Sequence, residues 1–204
     1  MRLFAQIYYL ILKRMNYQRF NTPSKFDTLY TLDKDPFNVS TSNYEQAKFN
    51  DILAVLDERE FIHTLDLGCG PGYLTAKFAP YSRKVTAVDF SEKAIELAKQ
   101  NCANCTNVEF IKEDITKFKR KDRYDLFFCS EVLYYLDDEG FDRLVANIRE
   151  MSAPNAELVV TCRLDDEVMR KRLEKHFALK RAKPSPKWLR PYVIYLFAVN
   201  PGLS

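Results

Sequence analysis

From residue 60 onward, the chain alternates short apolar runs with segments in which hydrophobic residues recur at a helical spacing. Apolar runs bounded by polar or glycine-containing stretches predict buried strands, whereas apolar residues three or four positions apart predict one face of a helix. The runs predict strands at 62–67, 85–89, 108–112, 124–130, 156–161, 177–181 and 192–199. The periodic segments predict helices at 72–79, 92–101, 137–151 and 165–175.

The order of these elements predicts the fold class. Strands that alternate with helices form a parallel sheet with helices on both faces. The last two predicted strands are joined by residues 182–191, which contain three prolines and predict no helix, so these strands run antiparallel to each other. We therefore expect an α/β protein with a doubly wound, mostly parallel, Rossmann-like sheet of seven strands.

The first predicted strand ends in a glycine-rich loop, Asp66-Leu67-Gly68-Cys69-Gly70-Pro71-Gly72. Glycines at this spacing remove side chains where the backbone must approach a ligand closely. The second predicted strand ends in Asp89, and a carboxylate there can accept hydrogen bonds from both hydroxyls of a ribose. Together the loop and the carboxylate predict a cofactor that contains a nucleoside.

Details of the loop separate one nucleoside cofactor from another. A dinucleotide loop has a third glycine where this chain has Tyr73, and the Gly-Lys-Ser/Thr of a Walker loop is absent. The loop instead resembles the first motif of class I S-adenosylmethionine-dependent methyltransferases, and the resemblance extends over roughly residues 40–200. It implies S-adenosylmethionine as the cofactor and a sheet order of 3-2-1-4-5-7-6 with strand 7 antiparallel.

The same resemblance implies roles for residues at the carboxyl ends of the strands. The loop backbone would approach the methionyl part and the ribose, and Asp66 would hold the methionyl amine through water or the backbone. Asp114 would accept a hydrogen bond from the adenine amino group, and Phe90 and Ile115 would enclose the ring; plain loop and core roles are the alternatives. The implied cofactor residues are Asp66, Leu67, Gly68, Cys69, Gly70, Gly72, Asp89, Phe90, Asp114, Ile115, Ser130 and Glu131.

The residues after the fourth predicted strand bear on the acceptor. The segment there reads Cys129-Ser130-Glu131-Val132-Leu133-Tyr134-Tyr135-Leu136. It lacks the Asn/Asp-Pro-Pro-aromatic motif of enzymes that methylate amino groups of nucleic acids. With the upstream segment 35–49, this octet is similar to the nodulation protein S-like N-methyltransferases, which act on a free amino group of a chitooligosaccharide. The similarity implies N-methyl transfer to a small-molecule or oligosaccharide acceptor. A hydroxyl, a lipid-linked or a protein acceptor, and an NAD-binding or non-catalytic module, stay open as alternatives.

The upstream segment also predicts a cover for the site. Tyr44 and Lys48 would lie over the cofactor as part of a lid, with Lys48 pairing with the methionyl carboxylate. An amphipathic helix without cofactor contact is the alternative. We expect residues 1–50 to form an N-terminal helical lid or docking segment and residues 51–204 to form a single cofactor-binding domain.

Methyl transfer from a sulfonium needs an aligned lone pair and the exclusion of water. His63 and His176 come at the beginnings of strands 1 and 6, so both are expected at the edge of the sheet away from the ligand. Glu131 follows strand 4 at the ligand edge, which makes it the candidate proton acceptor. Tyr134 and Tyr135 are candidate positioning groups, with ordinary core packing as the alternative. The lack of a histidine base favours nitrogen over oxygen as the methylated atom.

Charge and cysteine content limit the partners. The net charge of +3, from 31 basic and 28 acidic residues, is too small to predict a nucleic acid partner. Five scattered cysteines favour a reduced, cytoplasmic protein over a disulfide framework. Cys102 and Cys105 form a Cys-x-x-Cys pair without a second pair of zinc ligands, so no metal is expected.

Two segments of the chain allow more than one interpretation of their role. Residues 1–20 carry an apolar run that is about half the ~20 residues of a membrane span, so packing, partner docking or peripheral membrane contact would each explain it, and Met15 is an alternative start. Trp188 in the last connection could stack on a sugar ring, and Lys183, Lys187 and Arg190 around it would favour an anionic acceptor. A solvated, proline-stiffened loop is the alternative.

Overall fold

The computed structural model describes residues 22–163, 167–185 and 191–200. These residues contain a seven-stranded sheet in the order β3-β2-β1-β4-β5-β7-β6, in which β7 runs antiparallel to both of its neighbours. The predicted fold class, sheet order and reversed strand are thus confirmed. The strands are β1 Phe61–Leu67, β2 Ser82–Asp89, β3 Val108–Lys112, β4 Tyr124–Ser130, β5 Ser152–Arg163, β6 Ala178–Pro184 and β7 Tyr192–Ala198.

Six α-helices lie within the described residues. They are α1 Pro23–Leu32, α2 Asn43–Val55, α3 Tyr73–Phe78, α4 Glu92–Asn101, α5 Asp138–Met151 and α6 Glu167–Glu174, with short 3₁₀ turns at Ala79–Tyr81 and Leu133–Tyr135. Side chains cap the main helices: the Ser91 hydroxyl accepts a hydrogen bond from Ala94 N, and the Asp137 carboxylate accepts one from Gly140 N. Among the described helices, none is long and apolar enough to cross a membrane.

The central strand β4 shows why helices cover both faces of the sheet. Phe127 and Phe128 are both fully buried, and successive side chains of a strand point to opposite faces. Phe127 belongs to a large core cluster with the apolar face of α5, whereas Phe128 belongs to a second cluster with α2 and α3. A continuous apolar run is therefore what a parallel strand buried on both faces requires.

Four strands are longer than predicted: β1 and β2 begin at Phe61 and Ser82 rather than at residues 62 and 85, and β5 and β6 are extended as well. β5 starts at Ser152 rather than at residue 156, because the chain passes through Asn155 at a φ of 59° and the pairing register with β4 shifts there. β6 continues to Pro184, three residues into the predicted connection. Proline is tolerated there because β6 is the last strand in the sheet order, where its missing N–H leaves no partner unpaired.

The two N-terminal helices are packed onto the domain. α1 lies against α4, where Tyr30, Ala94 and Leu97 form a small cluster, and the Asp27 carboxylate accepts hydrogen bonds from Ser91 Oγ at 2.6 Å and Lys93 N at 3.0 Å. α2 crosses residue 50 without a break and buries Phe49, Ile52 and Val55 in the second core cluster. Residues 1–20, with the apolar run discussed above, lie outside the described residues.

Candidate active site

The loop between β1 and α3 passes very close to its neighbours. Gly68 and Gly72 have φ values of +81° and +77°, which residues with a side chain rarely adopt. A Cβ on Gly68 would lie 2.6 Å from the Val132 side chain, and one on Gly72 would lie 2.8 Å from Ala98 Cβ. The loop is held by the Gly68 and Cys69 amides, which donate to Val88 O at 2.8 and 3.0 Å. Only glycine allows this backbone to lie between β4 and α4.

Asp89 stands at the end of β2 beside the loop and is 7% exposed. Its Oδ2 accepts a hydrogen bond from Gly70 N and its Oδ1 accepts one from Ser91 N, both at 2.9 Å. Burial raises the pKa of this carboxyl to about 6, while the donors from Ser91 and Gly70 act in the opposite direction. Each carboxylate oxygen keeps a second lone-pair site, so the group is able to accept from two ligand hydroxyls.

Asp66, in β1 next to the loop, is 5% exposed and accepts a hydrogen bond from Thr75 Oγ1 at 2.6 Å. Burial raises its pKa to about 7, the Thr75 bond lowers it, and the negative charge of Asp89 raises it further. A buried carboxylate beside another one lacks a counter-charge. A ligand ammonium group close to Asp66 would supply that charge, which fits the methionyl amine of the implied cofactor.

The predicted adenine residues follow β2 and β3, which are parallel neighbours with Asp89 opposite Lys112. Glu113 N donates to Asp89 O at 3.0 Å and ties these strand ends together. Asp114 Oδ1 accepts hydrogen bonds from the amide and hydroxyl of Thr116, and Ile115 is buried. Phe90 is half-buried and directly follows β2. Because β2 and β3 are parallel, the residues that follow them share one edge of the sheet.

Helix α1 adds residues to this edge that the sequence analysis missed. Tyr30 is 5% exposed, and its hydroxyl oxygen lies 3.2 Å from the position that a Cβ on Gly70 would take. The Phe26 ring lies 5.4 Å from the Phe90 ring and 5.6 Å from the Tyr135 ring. The only signal in the sequence was the spacing of two aromatic residues four positions apart, which places them on one helix face.

The end of β4 carries a strained residue. Glu131 has a φ of 56°, and its N–H donates to Thr161 O at 3.1 Å. Non-glycine residues held at positive φ are uncommon and cluster at functional sites. Ser130 Oγ shares a hydrogen bond of 2.7 Å with Thr161 Oγ1. The predicted residues Ser130 and Glu131 are thus fixed to β5, beside the loop residue Gly68 that packs on Val132.

The first turns of α2 bring Lys48, with Tyr44 beside it, to Glu131 at the end of β4. The Lys48 side chain is 4% exposed, and its Nζ lies 2.9 Å from Glu45 Oε2 and 3.7 Å from Glu131 Oε1. Lys48 Nζ also lies 5.3 Å from the centre of the Tyr44 ring. A methionyl carboxylate would have to share this ammonium with the two glutamates.

Glu131 remains accessible, with 28% of its side chain exposed. Burial raises its pKa, Lys48 lowers it, Glu45 raises it, and a hydrogen bond with Tyr134 lowers it. The structure therefore brings the predicted catalytic pair, Glu131 and Tyr134, into contact. Glu45, which the sequence analysis did not single out, adds a second carboxylate.

The histidines lie at the opposite edge, as expected. His63 is near the start of β1, its Nε2 lies 2.9 Å from Thr86 Oγ1, and burial lowers its pKa. His176 precedes β6, and its ring lies between Phe141 and Phe177. Within the described ranges, His, Cys, Asp and Glu residues form no group of three that could hold a metal ion.

The last connection is described only in part. Residues 186–190, which include Lys187, Trp188 and Arg190, lie outside the described residues. Lys183 belongs to β6, and its Nζ lies 3.2 Å from Asp51 Oδ1, so this cation is already paired within the chain.

The sheet order, the reversed β7, the glycine loop after β1 and the carboxylate after β2 define the fold of class I S-adenosylmethionine-dependent methyltransferases. A sequence model of the family described as nodulation protein S (NodS) matches residues 25–172. The chain belongs to this family.

Curated relatives agree with this assignment. Nodulation protein S of Sinorhizobium fredii is 30% identical over 134 residues, 65% of this chain and 62% of that protein. The Rhizobium tropici protein is 30% identical over 71% of this chain and 58% of its own length. The chain thus spans about 60% of these curated relatives.

The fold matches solved structures over most of their lengths. The N-methyltransferase NodS of Bradyrhizobium japonicum, in complex with S-adenosyl-L-homocysteine, superposes with a TM-score of 0.79 at 22% identity, covering 91% of this chain and 99% of that one. Magnesium protoporphyrin IX methyltransferase of Synechocystis, with bound S-adenosylmethionine, gives a TM-score of 0.67 at 17% identity, covering 87% and 97%.

Proposed function

We propose that the protein is an S-adenosylmethionine-dependent methyltransferase that transfers a methyl group to an amino group of a small molecule or an oligosaccharide. The observation that carries this proposal is the pair of buried carboxylates, Asp66 and Asp89, on either side of the glycine loop. They match two parts of the cofactor, since Asp89 suits the ribose hydroxyls and Asp66 suits the ammonium group of the methionyl part. The NodS family and its solved N-methyltransferase support the same assignment.

The chain's own residues would bind and orient the cofactor as follows. Asp89, held by Gly70 N, would accept from the ribose, the Gly68–Gly72 backbone would lie along the methionyl part, and Asp66, fixed by Thr75, would face the amine. Asp114 would accept from the adenine amino group, and Phe90 and Ile115 would line the ring. S-adenosylmethionine supplies a methyl group that its sulfonium has already activated.

Glu131 is proposed as the proton acceptor, with Tyr134 as its positioning partner. The accessible carboxylate lies at the ligand edge of β4, next to the loop that would hold the methionyl part. Glu45 and Glu131 outnumber the single ammonium of Lys48, so the acceptor meets an excess of negative charge. That charge favours an amine, which can arrive as a cation, over a neutral hydroxyl.

We also propose that residues 1–50 act as a lid over residues 51–204. In the described part, α1 covers the end of β2 and α2 brings Tyr44 and Lys48 over the end of β4. Residues 1–20 are proposed as a docking or peripheral membrane segment. The cysteines, all five of them free thiols, support a reducing, cytoplasmic location.

Methyl transfer to the oxygen of a carboxylic acid is a second candidate function, and one relative supports it. Malonyl-[acyl-carrier protein] O-methyltransferase of Bacillus anthracis is 33% identical over 120 residues, 53% of this chain and 44% of that protein. An acceptor screen with radiolabelled S-adenosylmethionine over aminosugars, chitooligosaccharides with a free amine and carboxylic acids would separate the two. Methyl transfer confined to the acids would refute the amine proposal.

Calorimetric titration tests the cofactor. The protein should bind S-adenosylhomocysteine and should show no heat with NADH. Asp89→Ala should abolish binding of S-adenosylhomocysteine, and Glu131→Gln should retain that binding while turnover falls. Glu139→Gln, which changes an exposed glutamate on α5, is the control and should alter neither. Unchanged affinity in Asp89→Ala would contradict the ribose assignment.

A further inference from the structure

Helix α1 places a tyrosine hydroxyl beside the glycine loop. Tyr30 is almost fully buried, and its hydroxyl oxygen is 3.2 Å from where a Cβ of Gly70 would stand. Gly70 N is also the donor that holds Asp89 Oδ2 at 2.9 Å. The Tyr30 hydroxyl and the Asp89 carboxylate are therefore neighbours across one glycine of the loop.

The hydroxyl is a hydrogen-bond donor throughout the physiological pH range. Burial is the main cause that raises the pKa of Tyr30 well above its ordinary value, and the nearby negative charge of Asp89 adds to it. A neutral phenol both donates and accepts, whereas Asp89 as a carboxylate only accepts. The two groups together match a ribose hydroxyl, which donates one hydrogen bond and accepts others.

Helix α1 is fixed in the position that this contact needs. Asp27, one turn before Tyr30, accepts hydrogen bonds from Ser91 Oγ at 2.6 Å and Lys93 N at 3.0 Å, at the start of α4. Ser91 N in turn donates to Asp89 Oδ1. The Tyr30 ring packs on Ala94 and Leu97 of α4. The carboxylate that would bind the ribose and the helix that carries Tyr30 thus share the same anchor.

We propose that Tyr30 is a cofactor-binding residue whose hydroxyl donates a hydrogen bond to the ribose hydroxyls held by Asp89, and that Asp27 is the positioning residue that keeps α1 in place for this contact. The inference rests on the proposed function, because it assumes that a ribose occupies the Asp89 site.

Two ligands separate the ribose from the amino acid part of the cofactor. S-adenosylhomocysteine contains both, whereas 5′-methylthioadenosine keeps the ribose and adenine and lacks the amino and carboxyl groups. In isothermal titration calorimetry, Tyr30→Phe should weaken both ligands by the same factor, about tenfold, which corresponds to one lost hydrogen bond in a buried site. Tyr81→Phe, a half-buried tyrosine at the other end of β2, is the matched control and should change neither affinity.

A double-mutant cycle tests the positioning role. Asp27→Ala should weaken both ligands as well, because α1 is then no longer anchored. In the Tyr30→Phe background, Asp27→Ala should add clearly less than it does alone, since the contact that it positions is already gone. A residue that only stabilises the fold would lower the melting temperature and leave both affinities of the folded protein unchanged, and an effect on binding that is independent of Tyr30 would give additive losses. Circular dichroism melting of each variant checks that the ligand-free protein is folded.

The outcomes discriminate between the two proposals. If the unmodified protein binds neither ligand, the proposed function fails and this inference fails with it. If both ligands bind and Tyr30→Phe leaves their affinities unchanged, the inference is wrong while the proposed function stands. A loss confined to S-adenosylhomocysteine would assign the hydroxyl to the amino acid part and overturn the ribose contact. Should Tyr30→Phe fail to fold, undiminished binding in folded Asp27→Ala would overturn the proposal.

Discussion

Replacement of Asp66 by asparagine should stabilise the ligand-free protein at pH 8, and this gain should shrink as the pH decreases. Burial raises the pKa of the Asp66 carboxyl from 3.8 to about 7. Each pKa unit corresponds to about 1.4 kcal/mol, so the ionised carboxyl destabilises the folded state by about 4 kcal/mol at pH 8. Because the folded protein binds the proton more tightly than the unfolded chain, this penalty falls as pH decreases from 7, and it vanishes below about pH 4.

Asparagine removes the charge and keeps an oxygen that can accept the hydrogen bond from Thr75 Oγ1. Its amide N–H groups add a pH-independent loss of about 1–3 kcal/mol if they lack partners. The free energy of unfolding of Asp66→Asn relative to that of the unmodified protein changes between pH 8 and pH 5, and this change does not contain the pH-independent loss. It should be about 2.5 kcal/mol, with Asp66→Asn relatively more stable at pH 8.

Urea unfolding followed by circular dichroism, without ligand, measures this difference at both pH values. Asp142→Asn on the exposed face of α5 is the control and should show no comparable pH dependence. A stability difference that is the same at pH 5 and pH 8 would refute the buried, uncompensated carboxylate. The same Asp66→Asn variant should bind S-adenosylhomocysteine more weakly, because the ligand ammonium then loses its counter-charge.

Three further predictions concern ligand affinity and stability. Affinity for S-adenosylhomocysteine should rise from pH 5 to pH 8, because burial raises the pKa of Asp89 to about 6 and the carboxylate form is the acceptor; calorimetry at constant ionic strength with a pH-independent affinity would contradict this. Gly72→Ala should destabilise the protein by more than about 1 kcal/mol, since it combines a φ of +77° with a Cβ 2.8 Å from that of Ala98, and a melting temperature equal to that of the unmodified protein would speak against this geometry. Phe128→Ala should lower the free energy of unfolding by about 3–5 kcal/mol, because it empties a fully buried site between α3 and the sheet, whereas a loss below about 1 kcal/mol in urea unfolding would show that the site is not close-packed.

Local patterns were sufficient for most of the fold. β3, β4 and α4 have the bounds that the sequence predicts, because each carries a complete local signal. In β4 this signal is the continuous apolar run, and in α4 it is the Ser91 cap followed by a helical period. The glycine loop was readable for the same reason, since only glycine tolerates its backbone and contacts.

The errors in the strand bounds have a common cause. The start of β5 depends on pairing with β4 through an irregular register at Asn155, and the end of β6 depends on pairing with β7. Hydrogen bonds between strands that are distant in sequence extend a strand beyond its own apolar run. A rule that reads one segment at a time has no access to that partner.

The sequence by itself determined the class of protein, because the alternation of strands and helices, the glycine loop and the carboxylate after β2 are all local. Only the tertiary structure decided which side chains meet at the site. It placed Asp27 against Ser91, 64 positions away, and so laid Tyr30 over the loop. The tertiary structure also placed Lys48 of α2, which is paired with Glu45, beside Glu131 directly after β4. These contacts result from the packing of helices onto the finished sheet, and packing depends on shapes and charges that come together only when the chain has folded.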